Sequence, residues 1–383
     1  MSENPPEQKK STHRTEVVVV KEIQKHPNAD TLGVIPVYGY TVVVKLNEWA
    51  VGDLMAYVVP DSLVSVNRPE MEFLGADAVK LTEPLKMVVA TLQSKIAEYV
   101  NTLPAARTVF MRELNEMLKL ALSITSNELD KKVRIRAMKL RGVMSFGLPL
   151  KAPKGAKEGD DVSDLLGVTR YEPPEELSTC TDSETAQSDL HVPHYDVEDG
   201  YRYNTAIPDG TAVVVSEKID GTNTCYTHHG GRMWVRSRKH WRKEVPKSIY
   251  WKALYNNPKI AAWCVSHPDL ALFGETFGCQ RLKYGRKTAE FAVFDVWEKI
   301  YNRFMDYAEA REVTNGLPWV PVIICRDYKF DEIKKLVDGK SLIEGAGHHR
   351  EGIVVRPTVE AWCKEIGRLQ VKFVSGESLE KDR

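Results

Sequence analysis

The chain has 383 residues, 43% of them hydrophobic and 28% charged, which is enough apolar material for two or three ordinary domains. Lys plus Arg equals Asp plus Glu at 53 each, so overall charge makes no case for nucleic-acid binding and any such case must come from local clusters. Six cysteines stand without a C-x-x-C pair, which argues against a zinc ribbon and does not indicate a disulfide scaffold; no apolar run is long enough to span a bilayer and the amino terminus has no signal core. A soluble intracellular protein with no membrane partner, and a monomer, is expected.

In chain order, residues 1–13 read as a disordered polar tail. A strand-rich region comes next, over 14–170. Val17 to Val20, Val34 to Val37, Tyr40 to Val44 and Leu54 to Val59 are short β-branched or aromatic runs punctuated by Gly39, Gly52 and Asp53. Val133 to Met138 and Gly147 to Leu150 add further strands, a set that suits a small barrel of the OB type. Between them, Leu85, Val88, Val89, Leu92 and Ile96, and then Phe110, Leu114, Met117 and Leu118, recur at helical spacing. They predict a two-helix insertion at about 75–130 whose apolar stripes serve packing. Arg134, Arg136, Lys139 and Arg141 form a basic stretch that suits either a nucleic-acid groove or a charged strand edge.

Residues 171–191, with Pro173, Pro174 and several Ser, Thr and acidic residues, read as a linker. A mixed αβ domain is expected over 192–383. Strands are predicted at Thr211 to Glu217, Leu270 to Phe273, Phe291 to Val296 and Ile353 to Arg356. Helices are predicted around Ser248 to Cys264, Tyr301 to Thr314 and Phe330 to Val337. The fold class is α+β.

The chemistry centres on Glu217 to Asn223, a K-x-D-G motif at the end of an apolar strand. A lysine at a strand end is held with its amine aimed into a cleft, and it becomes a nucleophile when its pKa is lowered by burial or by a nearby cation. Asp220 suits a divalent metal, and Gly221 lets the backbone approach a phosphate. Alone the motif is weak, since three fixed residues recur by chance in about one chain in ten of this length. Taken singly, Phe291 reads as a core aromatic in an apolar strand, and Glu351 as one half of a surface salt bridge.

The set of motifs downstream of Lys218, in its order, is far more specific. Ser237 to Lys239, Phe273 to Thr276, Phe291 to Asp295, Glu351 to Arg356 and Gln370 to Lys372 resemble the ordered motifs of the covalent nucleotidyltransferase superfamily of DNA ligases, RNA ligases and capping enzymes. Only Phe373 to Arg383 come after Lys372 here, and the strand-rich region comes first. That order resembles the RNA ligase family typified by the Deinococcus and Naegleria enzymes, in which an amino-terminal OB domain precedes the catalytic domain. Arg134 to Gly142 and Tyr195 to Glu198 also look like that family, whereas the helical insertion lies outside its minimal pattern.

The resemblance implies an amino-terminal OB-like β-barrel, then a covalent nucleotidyltransferase (ATP-grasp-like ligase) domain. It implies ATP-dependent joining of RNA 3′-hydroxyl and 5′-phosphate ends, at nicks with an RNA 3′-hydroxyl strand, through lysyl-AMP and an AMP-capped 5′ end. Lys218 would be the nucleophile, with Glu217 and Ile219 meeting adenine through their backbone. Arg238 and Glu275 would hold the ribose, Phe291 and Val354 would flank adenine, and Asn223 and Lys372 would contact the phosphate. Asp220, Glu275 and Glu351 would surround a hydrated Mg²⁺ or Mn²⁺. The family's last motif has two lysines one residue apart, and here the first is Gln370, an uncharged hydrogen-bonding group. Arg232 to Lys247, a basic run with Trp234 and Trp241 interleaved, suits either RNA contact or a solvated face, and Arg281, Lys283, Arg286 and Lys287 form a second cluster. A DNA ligase or a capping guanylyltransferase shares the chemistry, and a non-catalytic RNA-binding adaptor shares the folds.

Overall fold

A computed structural model describes residues 13–66, 68–75, 91, 132–171, 182–282 and 284–381. Two compact units divide the chain, one of residues 1–35 and 41–172 and the other of 36–40 and 173–383. The expected tail and helical insertion lie outside the described residues except at His13, Gly75 and Thr91, and so does most of the first half of the expected linker.

In the first unit, short strands alternate with turns. They are β1 (Glu16–Val19), β2 (Gln24–Lys25), β3 (Leu32–Val37), β4 (Tyr40–Lys45), β5 (Leu54–Val58), β6 (Ser62–Ser65), β7 (Lys132–Arg134), β8 (Met138–Leu140), β9 (Val143–Ser145), β10 (Leu148–Lys151) and β11 (Thr169–Arg170), with a one-turn helix α1 (Ser163–Leu166) before the last. They form three three-stranded sheets, β1-β5-β10, β2-β3-β4 and β11-β6-β7, and the hairpin β8-β9. β5 lies between two partners and is buried on both faces from Met55 to Val58, which is why its sequence is continuously apolar. Val17, Ala56, Val58, Val64, Ile135 and Leu166 make the core. Arg134, which suited either a nucleic-acid groove or a charged strand edge, forks onto Asp61 Oδ1 at 2.7 and 2.9 Å and stacks over Tyr171.

The second unit is built on two antiparallel-dominated sheets. Its strands are β12 (Ser183–Glu184), β13 (Glu198–Asp199), β14 (Ala212–Lys218), β15 (Gly221–His229), β16 (Arg232–Ser237), β17 (Trp241–Arg242), β18 (Leu270–Phe277), β19 (Glu290–Glu298), β20 (Arg303–Phe304), β21 (Val322–Asp327), β22 (Gly352–Pro357), β23 (Trp362–Cys363), β24 (Gly367–Arg368) and β25 (Val371–Val374). The helices are α2 (Ile249–Asn256), α3 (Pro258–Ser266), α4 (Tyr307–Val313), α5 (Phe330–Lys334) and α6 (Gly376–Lys381). One sheet runs β12-β17-β16-β15-β18-β19-β20 and the other β13-β25-β22-β14-β21.

The single helix expected over Ser248 to Cys264 is two, because Pro258 cannot donate its backbone N–H and starts a new helix at its first position. Trp251, Leu254, Ile260 and Trp263 from these helices pack on Leu272, Phe291 and Val293 of the seven-stranded sheet. Among the described residues no helix is long and apolar enough to cross a membrane.

Candidate active site

Lys218 is the last residue of β14, which lies between β21 and β22, and it pairs with Gly352. The next two residues, Ile219 and Asp220, carry the chain out of the five-stranded sheet, and Gly221 begins β15 in the seven-stranded one. The lysine therefore sits where the chain crosses between the sheets. Val213 and Val215 are fully buried behind it, which holds the strand end rigid. Gly221 needs its missing side chain, since a Cβ there would lie 2.4 Å from Thr276 O.

Lys218 Nζ donates to Glu351 Oε2 at 2.6 Å, with both side chains largely buried. Burial works against its charge, but the carboxylates of Glu351, Glu275 and Asp220 outweigh that and push its pKa up. Burial, reinforced by the neighbouring Glu351 and Asp220, raises Glu275 to about 8 against the pull of Lys218. Burial also pushes Glu351 up, opposed by Lys218. Lys218 thus has three acidic neighbours, with Glu351 in direct contact. Asn223 pairs with Glu275 across β15 and β18. Val354 pairs with Lys372 across β22 and β25 and with Ser216 across β14, so strand alternation puts Lys218, Val354 and Lys372 on one face.

Several expected residues also have contacts of their own. Asp220 turns toward the loop after β18: its Oδ2 accepts from Leu282 N at 3.0 Å, and its own N–H donates to the Tyr284 hydroxyl at 2.6 Å. Tyr284, which the sequence did not single out, is fully buried at φ +51. Glu217 N–H donates to Pro321 O, and its carboxylate takes Ser341 Oγ and Leu342 N at 2.6 and 2.7 Å, so this residue anchors a loop and its N–H is spoken for. Ile219 is buried among Phe277, Tyr284 and Ala292.

Phe291 is 3% exposed, edge-on to Tyr226 and against Gly274, in the core beneath α2 and α3. Its neighbour Ala292, opposite Glu275, faces the other way, toward Ile219. The aromatic on that side is Phe294, the extra residue at a bulge where Asp295 pairs with Phe273 and Val293 with Gly274. A bulge re-aims a side chain; Phe294 is half-buried, next to Ile219 and 4.7 Å from the Tyr195 ring. The alternating pattern alone hides that bulge.

In the basic and aromatic run at 232–247, several side chains have partners within the unit. Trp234 is buried beneath the Arg232 guanidinium, and Arg232 also pairs with Glu184. Arg236 is buried on Val192 O and Pro193 O, and Arg242 on Ser237 Oγ. Arg238 reaches the Asp196 carboxylate. Gln370 is 2% exposed and lies in a buried network: the Tyr195 hydroxyl is shared between Asp295 Oδ2 at 2.8 Å and Gln370 Oε1 at 3.0 Å, while Arg356 and Arg368 each reach Asp295 at 2.7 Å.

A carboxyl group pushed up to about 8 beside two others is relieved by a cation, so Glu275 and Glu351 fit a divalent metal. Among the described residues no three His, Cys, Asp or Glu side chains converge as a ready-made ligand set.

Two sheets with a lysine at their crossover, preceded by a unit of small antiparallel sheets, define a nucleotidyltransferase-type ligase fold behind an OB-fold domain. Residues 211–374 match the RNA ligase family and residues 15–98 an OB-fold domain family. Residues 211–374 thus make up an RNA ligase domain. Among solved structures it is similar to a variant of Naegleria gruberi RNA ligase without ligand, 21% identical over 97% of this chain and 100% of that one, with a TM-score of 0.72. It is similar to another variant of that ligase with AMP and Mn, at 20% identity, the same coverage and a TM-score of 0.72. The same ligase with PPi gives 21%, the same coverage and 0.71. No curated protein matches the sequence.

Proposed function

We propose that this chain is an ATP-dependent RNA ligase that seals 3′-hydroxyl and 5′-phosphate ends, at nicks whose 3′-hydroxyl strand is RNA. The observation that carries the reading is Lys218, fixed at the sheet crossover, 2.6 Å from Glu351 and facing Glu275. The Naegleria ligase structures with AMP and Mn and with ATP and Mn support ATP and a divalent metal as the cofactors.

In the first step Lys218 Nζ attacks the α-phosphorus of ATP, a P–N bond forms, and pyrophosphate leaves with the electrons of the broken P–O bond. The lysine must first give up a proton, which Glu351 is placed to receive. A bound Mg²⁺ or Mn²⁺ would supply positive charge to the phosphate oxygens and offset the carboxylates that hold Lys218 protonated. Lys372, on the same face as Lys218, adds positive charge for the phosphate. AMP then passes to the RNA 5′-phosphate, and the 3′-hydroxyl displaces it to form the phosphodiester. Arg238 and Glu275 hold the ribose, Asn223 the phosphate, and Phe294, rather than the core residue Phe291, lies against the adenine opposite Val354.

Incubation with α-labelled ATP tests this. Label stays with the wild-type chain and is absent from Lys218→Met. Preference for GTP would move the reading to a capping-type guanylyltransferase, sealing of all-DNA nicks alone to a DNA ligase, and no label with retained RNA binding to an adaptor.

A further inference from the structure

The family pattern has a lysine where this chain has Gln370, and the surroundings of Gln370 explain the exchange. Its side chain is buried and spends both ends: Oε1 faces the Tyr195 hydroxyl at 3.0 Å, and Nε2 donates to Asp196 O at 3.0 Å. Behind Tyr195 lie two carboxylates, Asp295 and Glu360, and two guanidiniums, Arg356 and Arg368, so the buried charges already balance two against two. A lysine at 370 would bury a third cation with no third anion in that network. A neutral amide satisfies the same two neighbours without disturbing the balance.

Gln370 also acts outward, toward the site. Asp196, whose carbonyl Gln370 holds, uses its carboxylate to take the Arg238 guanidinium. Tyr195 and Asp196 precede β13 in a segment with no regular hydrogen-bonded structure of its own, so side-chain contacts fix it. We infer that Gln370 is a positioning residue: through the Tyr195–Asp196 segment it sets Arg238 for contact with the nucleotide ribose. The inference rests on the ribose role proposed for Arg238 and deepens it. It also means that Gln370 is not a weakened phosphate ligand, and that phosphate charge is met by Lys372 without it.

The test is adenylylation of the full chain with ATP and with 2′-deoxy-ATP, in wild type, Arg238→Ala, Gln370→Met and the double variant. Gln370→Met keeps the length and removes both hydrogen bonds. It is expected to raise the half-saturating ATP concentration about fivefold, the worth of one hydrogen bond, with the maximal rate within about twofold. It is expected to lower the preference for ATP over 2′-deoxy-ATP as Arg238→Ala does, and the double variant should be no worse than Arg238→Ala. General loosening of the fold would slow both nucleotides alike and would overturn the inference. So would an unchanged nucleotide preference in Gln370→Met while Arg238→Ala alters it. If wild type forms no adduct at all, the ligase reading itself fails. Gln370→Lys provides the second arm: it should melt at a lower temperature and adenylylate no faster than wild type, whereas a faster rate would restore Gln370 to the role of a defective phosphate ligand.

Discussion

Asp295 is held by two guanidiniums and the Tyr195 hydroxyl. It is fully buried, and burial alone would raise its pKa, yet Arg356 and Arg368 outweigh that and hold it below the ordinary 3.8. A carboxylate whose folded pKa is depressed contributes stability above its unfolded pKa, and that contribution is lost as pH falls through the folded value. Asp295→Asn leaves two guanidiniums without their anion and should cost about 3–5 kcal/mol at neutral pH. The gap between the variant and wild type should narrow as pH drops below 3.8. Urea unfolding at several pH values measures both, and a pH-independent gap would mean that the ion pairs do not carry the effect. Lys218 differs from Asp295 in that its acidic neighbours outnumber it.

At the scale of elements, the site depends on how closely β15, β18 and β19 approach. A Cβ on Gly274 would lie 2.3 Å from the Phe291 ring and 2.4 Å from Ala292 O, so Gly274→Ala must push β18 and β19 apart. Overpacking of this kind costs about 1–3 kcal/mol, and the strand that moves carries Glu275. Gly274→Ala should therefore lose stability in denaturant unfolding and adenylylate more slowly. Gly347, which has open space around it, is the control: Gly347→Ala should stay within about 0.5 kcal/mol of wild type. Equal effects at the two positions would contradict a packing origin. Two further placements follow from these elements. A bulge between Val293 and Asp295 gives the site-facing aromatic position to Phe294, and the Asp220 side chain serves the loop of Leu282 and Tyr284.

For the molecule as a whole, charge is balanced at 53 to 53, and in the basic segment at 232–247 Arg232 and Arg238 pair with Glu184 and Asp196 while Arg236 is buried on backbone carbonyls. Binding of a nicked RNA duplex is then expected to engage few phosphates. The logarithm of affinity should fall against the logarithm of salt concentration with a slope of about −2 to −4, since each neutralised phosphate contributes about −0.9. Titration of a labelled duplex at several salt concentrations decides this; a slope near zero would remove phosphate contact from the reading, and one near about −10 would mean that the internal pairs open on binding.

Features that depend on local order could be read from the amino acids alone. β14, β18, β19 and β22 arise from β-branched and aromatic runs, and Lys218 stands out through a turn motif attached to one of them and through the series of motifs downstream. The early strands β1, β3, β4, β5 and β10 are legible for the same reason, because a strand's propensity and alternation are written within a few residues. Features that require a partner distant in the chain became visible only in the folded molecule. Gln370 meets Tyr195 across 175 positions, Lys218 meets Glu351 across 133, and Arg236 is claimed by carbonyls more than 40 positions before it. A basic side chain in a sequence carries its charge but not its counter-charge. Whether Lys218, Arg238 and Gln370 serve substrate or scaffold depends on which groups folding brings beside them.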